Sequence, residues 1–154
     1  MTRTKESEEK KDDDNIERDI YQQNYHHVII TDEKGIYSSF EHLKNKLAEN
    51  TDSFLTLIYF NSNINESLLF REELNAIELR FLYRLIVYFI PYEECTILNQ
   101  LEKFQKILET LLNSNTKKFM QFQISGDKDL SEFALDRLIF LGVDKQQIVS
   151  QVIC

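Results

Sequence analysis

Histidine, paired carboxylates and cysteine are the side chains in this sequence able to move protons, bind metals or attack substrates. His26 and His27 are adjacent. In an extended segment such neighbours point to opposite faces, so the two cannot chelate one metal together. His42 falls on the outer part of a predicted helix, and no Cys or carboxylate completes a ligand spacing around the three. Glu72-Glu73 and Glu93-Glu94 are acid pairs, but helical neighbours diverge by about 100 degrees and do not form a general acid–base dyad. For Glu93-Glu94 a place in a helix first turn is explained by the helix dipole. Arg71, Arg80 and Arg84 lie along one segment and read as ordinary surface cations beside Glu73 and Glu78. Cys95 and Cys154 read as two unlinked thiols. With three Gly in 154 residues, neither a phosphate-cradling loop nor a dinucleotide fingerprint can be assembled. These observations predict no catalytic residue, no metal site and no cofactor.

Charge narrows the classes further. A net charge of −8 and a pI near 4.9 oppose direct nucleic-acid binding, and Lys117-Lys118 is the densest cationic spot. Residues 1–19 carry eight acids and five bases with almost no sizeable apolar side chain, which predicts a disordered charged tail and no signal peptide. Residues 20–154 are expected to form a single globular domain. The most apolar run, Phe81–Tyr92, is too short for a membrane span and contains Arg84. Cytoplasm or nucleus is the expected location.

The elements that would position any site follow from periodicity. Val28-Ile29-Ile30 before the polar Asp32–Gly35 stretch predicts a short strand and a turn. Ile36, Phe40, Leu43 and Leu47 define one helix face, and Phe54–Phe60 suits a strand buried on both sides. Together they predict a βαβ unit with parallel strands. Over Glu66–Ile90, the stripe Phe70, Leu74, Ile77, Phe81, Leu85, Tyr88 predicts one long helix, with Leu82, Ile86 and Phe89 as a second apolar face. A further amphipathic helix is expected over Glu93–Leu112 and a half-exposed strand over Phe119–Ile124. Asp129 with Glu132 reads as a capping box opening a helix through Leu141, closed by Gly142. The last ten residues read as a short helix, although their Ile-Val pairs also suit a strand. The predicted fold is a helix-dominated α+β domain with a small three- to four-stranded sheet, and the alternative is an all-α bundle.

At the C-terminus, Leu138, Leu141-Gly142-Val143, Ile148 and Val152 resemble the first two helices of a ubiquitin-associated domain. That resemblance implies a ubiquitin-facing patch at Leu141-Gly142-Val143. Together with the strand before it, the same stretch is similar to the small regulatory subunit of the KEOPS tRNA-modification complex, in which strand, Gly-closed helix and strand recur.

The function expected from these readings is a non-catalytic interaction subunit or adaptor within a larger intracellular assembly. Protein partners would meet Phe81, Leu82, Ile86, Phe89, Tyr92, Leu141, Gly142 and Val143, and self-association through the same faces is compatible with the pattern. The alternatives are an enzyme of unrecognised class, a ubiquitin-binding adaptor, and a regulatory subunit of a tRNA-modification complex. An enzyme would gather His26, His27 or His42 with acids such as Glu41 or Glu94 in one cleft.

Overall fold

A computed structural model describes residues 25–49, 53–61, 70–91, 97–114 and 119–153. Strands β1 (His26–Thr31), β2 (Phe54–Asn61), β3 (Leu85–Pro91), β4 (Met120–Gly126) and β5 (Ile148–Val152) alternate with helices α1 (Ile36–Glu49), α2 (Arg71–Arg80), α3 (Ile97–Ser114) and α4 (Lys128–Phe140). All five strands are parallel and lie in the order β3-β2-β1-β4-β5. The chain therefore winds outward from β1 through β2 to β3, then returns to the other side of β1. This is a doubly wound α/β sheet. It replaces the expected helix-dominated α+β domain with a small sheet, and the all-α alternative with it.

Alternation along the strands assigns the two layers. Ile29, Leu55, Leu57 and Tyr59 pack with Ile36, Phe40 and Leu43 of α1 and Leu74 of α2 on one face. Val28, Ile30, Ile58, Phe60, Phe122 and Ile124 pack on the other with Phe104 and Leu108 of α3 and with Leu130, Ala134 and Leu138 of α4. In that second layer the ring of Phe104 meets Phe60 edge-on at 5.2 Å and tilts against Phe133 at 5.4 Å. β1 and β2 are buried because both faces of the sheet centre are covered, the usual condition of parallel strands.

Three predicted elements change. The long helix expected over Glu66–Ile90 stops at Arg80. Its described part is α2, a turn over residues 81–84 in which Arg84 N–H donates to the Phe81 carbonyl (2.9 Å), and then β3. A strand covered on both sides and a helix apolar all round carry the same continuous run, and no Gly or Pro marks the break. The sheet resolves the ambiguity, because Leu85–Pro91 find hydrogen-bonding partners along β2. Arg84 also ties this turn to the loop before β2, donating through Nε to the Ser53 carbonyl at 3.2 Å.

The C-terminal residues form a short 3-10 turn, Lys145–Gln147, and then β5, not a helix. β5 pairs with β4, so its Ile-Val content serves an edge strand. The cap of α4 is Asp127, whose side chain accepts from the Leu130 N–H at 2.8 Å, where Asp129 had been expected. Gly142 does adopt the left-handed conformation, at φ 89°. The parallel β1–α1–β2 unit is present as the pattern implied. The expected tail 1–19, Glu93-Glu94 and both cysteines lie outside the described residues.

Candidate functional site

In a doubly wound sheet the connections from neighbouring strands diverge where the order reverses, leaving a crevice at the carboxyl ends of those strands. Here that point lies between β1 and β4. β1 ends on Thr31 and runs through Asp32 into the turn that opens α1, while β4 ends on Ser125-Gly126 and runs through Asp127 into α4.

Asp32 organises this end of the sheet and is itself buried. Its Oδ1 accepts from the N–H of Lys34 (3.0 Å) and of Gly35 (2.9 Å), and its Oδ2 accepts from the N–H of Asp127 (2.9 Å). One carboxylate thus spans the entries to both helices, where the helix dipoles favour negative charge. Around it, the Thr31 hydroxyl donates to the Ser125 carbonyl at 2.8 Å, and the hydroxyls of Ser38 and Ser125 meet at 3.1 Å.

Two glycines make the approach close. A Cβ on Gly35 would overlap the Ser125 carbonyl, and one on Gly126 would come within 2.8 Å of Asp32 Oδ2. Both are glycine because backbone and carboxylate occupy the space a side chain would take.

The α1 side of this crevice carries an aromatic group. Exposed Tyr37 packs edge-on against Phe70 at 5.3 Å, and Phe70 stacks on Phe40 at 4.4 Å. Phe70 does so from a left-handed backbone conformation, φ 64°, which costs about 1–3 kcal/mol in a non-glycine residue. Beneath them Tyr59 is fully buried, and its hydroxyl has no hydrogen-bond partner among the described residues. Burial, reinforced by the charges of Glu33 and Asp32 and by Tyr37, pushes that phenol up to about 12.

A second concavity lies toward the opposite end of the same strands. A cleft of about 340 Å³ is lined by His27 of β1, His42 and Lys46 of α1, Gln121 and Gln123 of β4, and residues leading into β5. α1 and α2 cover β1, β2 and β3 and the carboxyl end of β4, but leave the amino end of β4 and β5 open on this face, where Gln121 and Val149 are exposed. Burial, then the nearby charges of Lys46, His42 and His26, push His27 down to about 4. His42 is lowered too, chiefly by burial and then by Lys46.

The predicted site residues disperse. His26 and His27 do point to opposite faces: His26 is buried, its Nε2 2.8 Å from the Thr56 hydroxyl, while His27 faces the cleft. His27 and His42 come together with Lys46, while the expected acid Glu41 pairs with Lys44 at 2.9 Å and the charge of Glu49 acts on His42. No cluster of three or more His, Cys, Asp or Glu able to hold a metal occurs among the described residues.

Of the apolar candidates, Leu82 is exposed in the turn before the outer strand β3 and Ile86 is exposed on that strand, Phe81 closes α2, and Phe89 is half-buried against the α1–α2 layer. Tyr92 lies outside the described residues. Val143 is buried in the α3–α4 layer and Leu141 packs against it, so these two serve the core. The second helix of a ubiquitin-associated domain is replaced by β5, which removes the basis of that resemblance. The strand–helix–strand order implied by the tRNA-modification subunit is present, as the last βαβ unit of the larger sheet.

Thr31, Asp32, Gly35, Ser38, Ser125 and Asp127 were not singled out from sequence. The available signal was generic: a buried apolar strand ending in Thr-Asp, a glycine three residues later, and a helix.

No family model and no curated protein matches this sequence. The fold does match solved structures. The ferredoxin–NADP+ reductase from Plasmodium falciparum superposes with a TM-score of 0.68 at 20% identity, over 88% of this chain and 54% of that one. A ferredoxin NADP+ reductase from Neisseria gonorrhoeae, with bound FAD and NADP, gives 0.59 at 17% identity over 88% and 58%. The cytochrome b5 reductase domain of Ulva prolifera nitrate reductase gives 0.60 at 18% identity over 82% and 48%. This chain spans about half the length of the chains it matches. At these identities the likeness establishes the fold. The expectation of a non-catalytic interaction subunit, and the leaning away from an enzyme, are contradicted by these three matches, each a reductase or a reductase domain. Among the described residues no helix is long and apolar enough to cross a membrane.

Proposed function

We propose that this chain is the nucleotide-cofactor domain of a reductase-type oxidoreductase, and that the cofactor meets it in the crevice at the carboxyl ends of β1 and β4. The observation that carries this reading is the reversal of strand order between those two strands, the position at which open α/β sheets take their ligands. Hydroxyls of Thr31, Ser38 and Ser125 converge there, and the exposed ring of Tyr37 stands on the α1 side. Support for a nicotinamide nucleotide comes from the reductases that share the fold, one of which holds FAD and NADP. Hydride chemistry belongs to such a cofactor, and the protein's contribution is to hold and orient it.

Titration of the 15N-labelled protein with NADPH, NADH and 2'P-AMP tests the reading. Amide shifts concentrated at Thr31, Ser38, Ser125 and Tyr37 are expected. Shifts gathered at His27, Gln121 and Val149 would move the nucleotide to the cleft at the other end of the sheet. No shift with any of the three ligands would dismiss a nucleotide-cofactor domain.

A further inference from the structure

The fold implies a diphosphate near the first βα turn, and the residues at that turn do not fit one. In dinucleotide-binding sheets a glycine-rich turn brings backbone N–H groups and a helix N-terminus against the pyrophosphate. Here the turn reads Thr31-Asp32-Glu33-Lys34-Gly35, and the N–H groups of Lys34 and Gly35 are already engaged. Asp32 Oδ1 takes those of Lys34 and Gly35, and Oδ2 takes that of Asp127 at the mouth of α4. Gly126 is bare on the side that faces the carboxylate, so the group lies flush against β4. Gly35 presses against the Ser125 carbonyl, and the bond from Thr31 to that same carbonyl closes the remaining gap. A diphosphate placed here would find the Lys34, Gly35 and Asp127 amides taken and would face the charges of Asp32, Glu33 and Asp127.

We infer that Asp32 is a resident substitute for the ligand anion: it holds the turn amides a diphosphate would need, so the crevice receives nucleotides by their nucleoside portion. The inference rests on the nucleotide reading above for its ligand class, while the occupied amides stand independently of it. A carboxylate suits this place for the reasons a phosphate does. It carries negative charge, accepts several N–H bonds at once and is favoured by two helix dipoles. Being tethered, it needs no free ligand to hold the two helix entries together. The wild-type protein should therefore gain little from a diphosphate, binding 2'P-AMP and NADP alike to within about threefold, the scatter expected of contacts outside the turn.

The test uses the full chain and two variants. Asp32→Ala empties the place. Asp32→Asn keeps the shape, retains one acceptor and removes the charge, which guards against a variant that fails to fold. Inorganic pyrophosphate is the first probe, read at the amides of Lys34, Gly35 and Asp127 by NMR. No shift is expected in the wild type, and saturable shifts are expected in the folded Asp32→Ala protein or, for the Asp127 amide, in Asp32→Asn. NADP and 2'P-AMP are the second probe. Emptying the place should make NADP bind roughly tenfold more tightly than 2'P-AMP, the scale of one added charge-assisted contact. Wild-type shifts at those three amides with pyrophosphate would overturn the inference, as would folded variants indifferent to it. If pyrophosphate behaves as expected but neither nucleotide binds any of the three proteins, the role of Asp32 stands and the nucleotide reading fails.

Discussion

At the carboxyl ends of β1 and β4 a carboxylate accepts from three backbone N–H groups, a threonine donates to a backbone carbonyl, and two serine hydroxyls meet. Toward the amino ends of the same two strands, two histidines, a lysine and several glutamines line a cleft that stays open. The first region is buried, rich in hydrogen bonds and negative. The second is half-covered and carries the cation Lys46 in a chain whose net charge is −8. Both arise from the same topology. Reversal of strand order brings two helix entries together at one end, and the placement of α1 and α2 leaves the amino end of β4 and β5 open on that face. A pocket and a ligand position are therefore separable features. At the place to which the fold points, the protein's own carboxylate holds the turn amides, while an open cleft lies at the other end of the strands.

Three measurements would break or sharpen this contrast. The largest effect should come from Gly35→Ala, because its Cβ must overlap the Ser125 carbonyl and both groups are backbone. The cost should reach at least the upper end of the ~1–3 kcal/mol typical of overpacking, read as a shift of the urea midpoint. At the open end, Gln121→Ala should change stability by no more than about 0.5 kcal/mol. Comparable losses at both positions would show the two ends to be equally tight.

An intermediate and opposite effect is expected for Tyr59→Phe. The hydroxyl is buried without a partner among the described residues, so its removal should stabilise the protein by about 1 kcal/mol. A loss of stability would reveal a partner for the phenol and extend the polar network of the crevice toward β2.

The smallest effect concerns the cleft. His27 titrates at about 4 in the folded protein, below the ordinary histidine value of 6.5. Between those values the unfolded chain binds the proton and the native state does not, so the contribution is complete above pH 6.5 and is lost as pH falls toward 4. Lys46→Met should raise the His27 midpoint in an NMR titration and narrow that window. An unchanged midpoint would mean that Lys46 takes no part in the shift.

Much of the fold was legible because it is local. The apolar runs at Val28–Ile30 and Phe54–Phe60, the stripe Ile36–Phe40–Leu43–Leu47 and the left-handed Gly142 each declare an element within a few residues. Phe81–Ile90 defeated the same method. Its apolar residues satisfy a helical stripe and a strand buried on both faces equally well, and neither Gly nor Pro separates α2 from β3. The segment was expected to be either a buried centre or a partner face. In the structure it is divided: Leu85 and Ile90 are buried in the sheet, while Leu82, Tyr83 and Ile86 are exposed beside its outer edge. Ile148–Val152 posed the same ambiguity, settled by pairing with β4.

The crevice was less legible than the fold. In sequence Asp32 is one acid among 26, placed in an unexceptional turn. Its role depends on the Asp127 amide, 95 residues away, and on a glycine that leaves room between them. Composition and periodicity determine which segments are buried and which are turns, since burial and backbone preference act over neighbouring residues. Strand order is set by long-range pairing, and that order decides which turns meet. For this chain, the meeting of two turns converts an ordinary aspartate into the group that holds the amides at the mouth of the sheet.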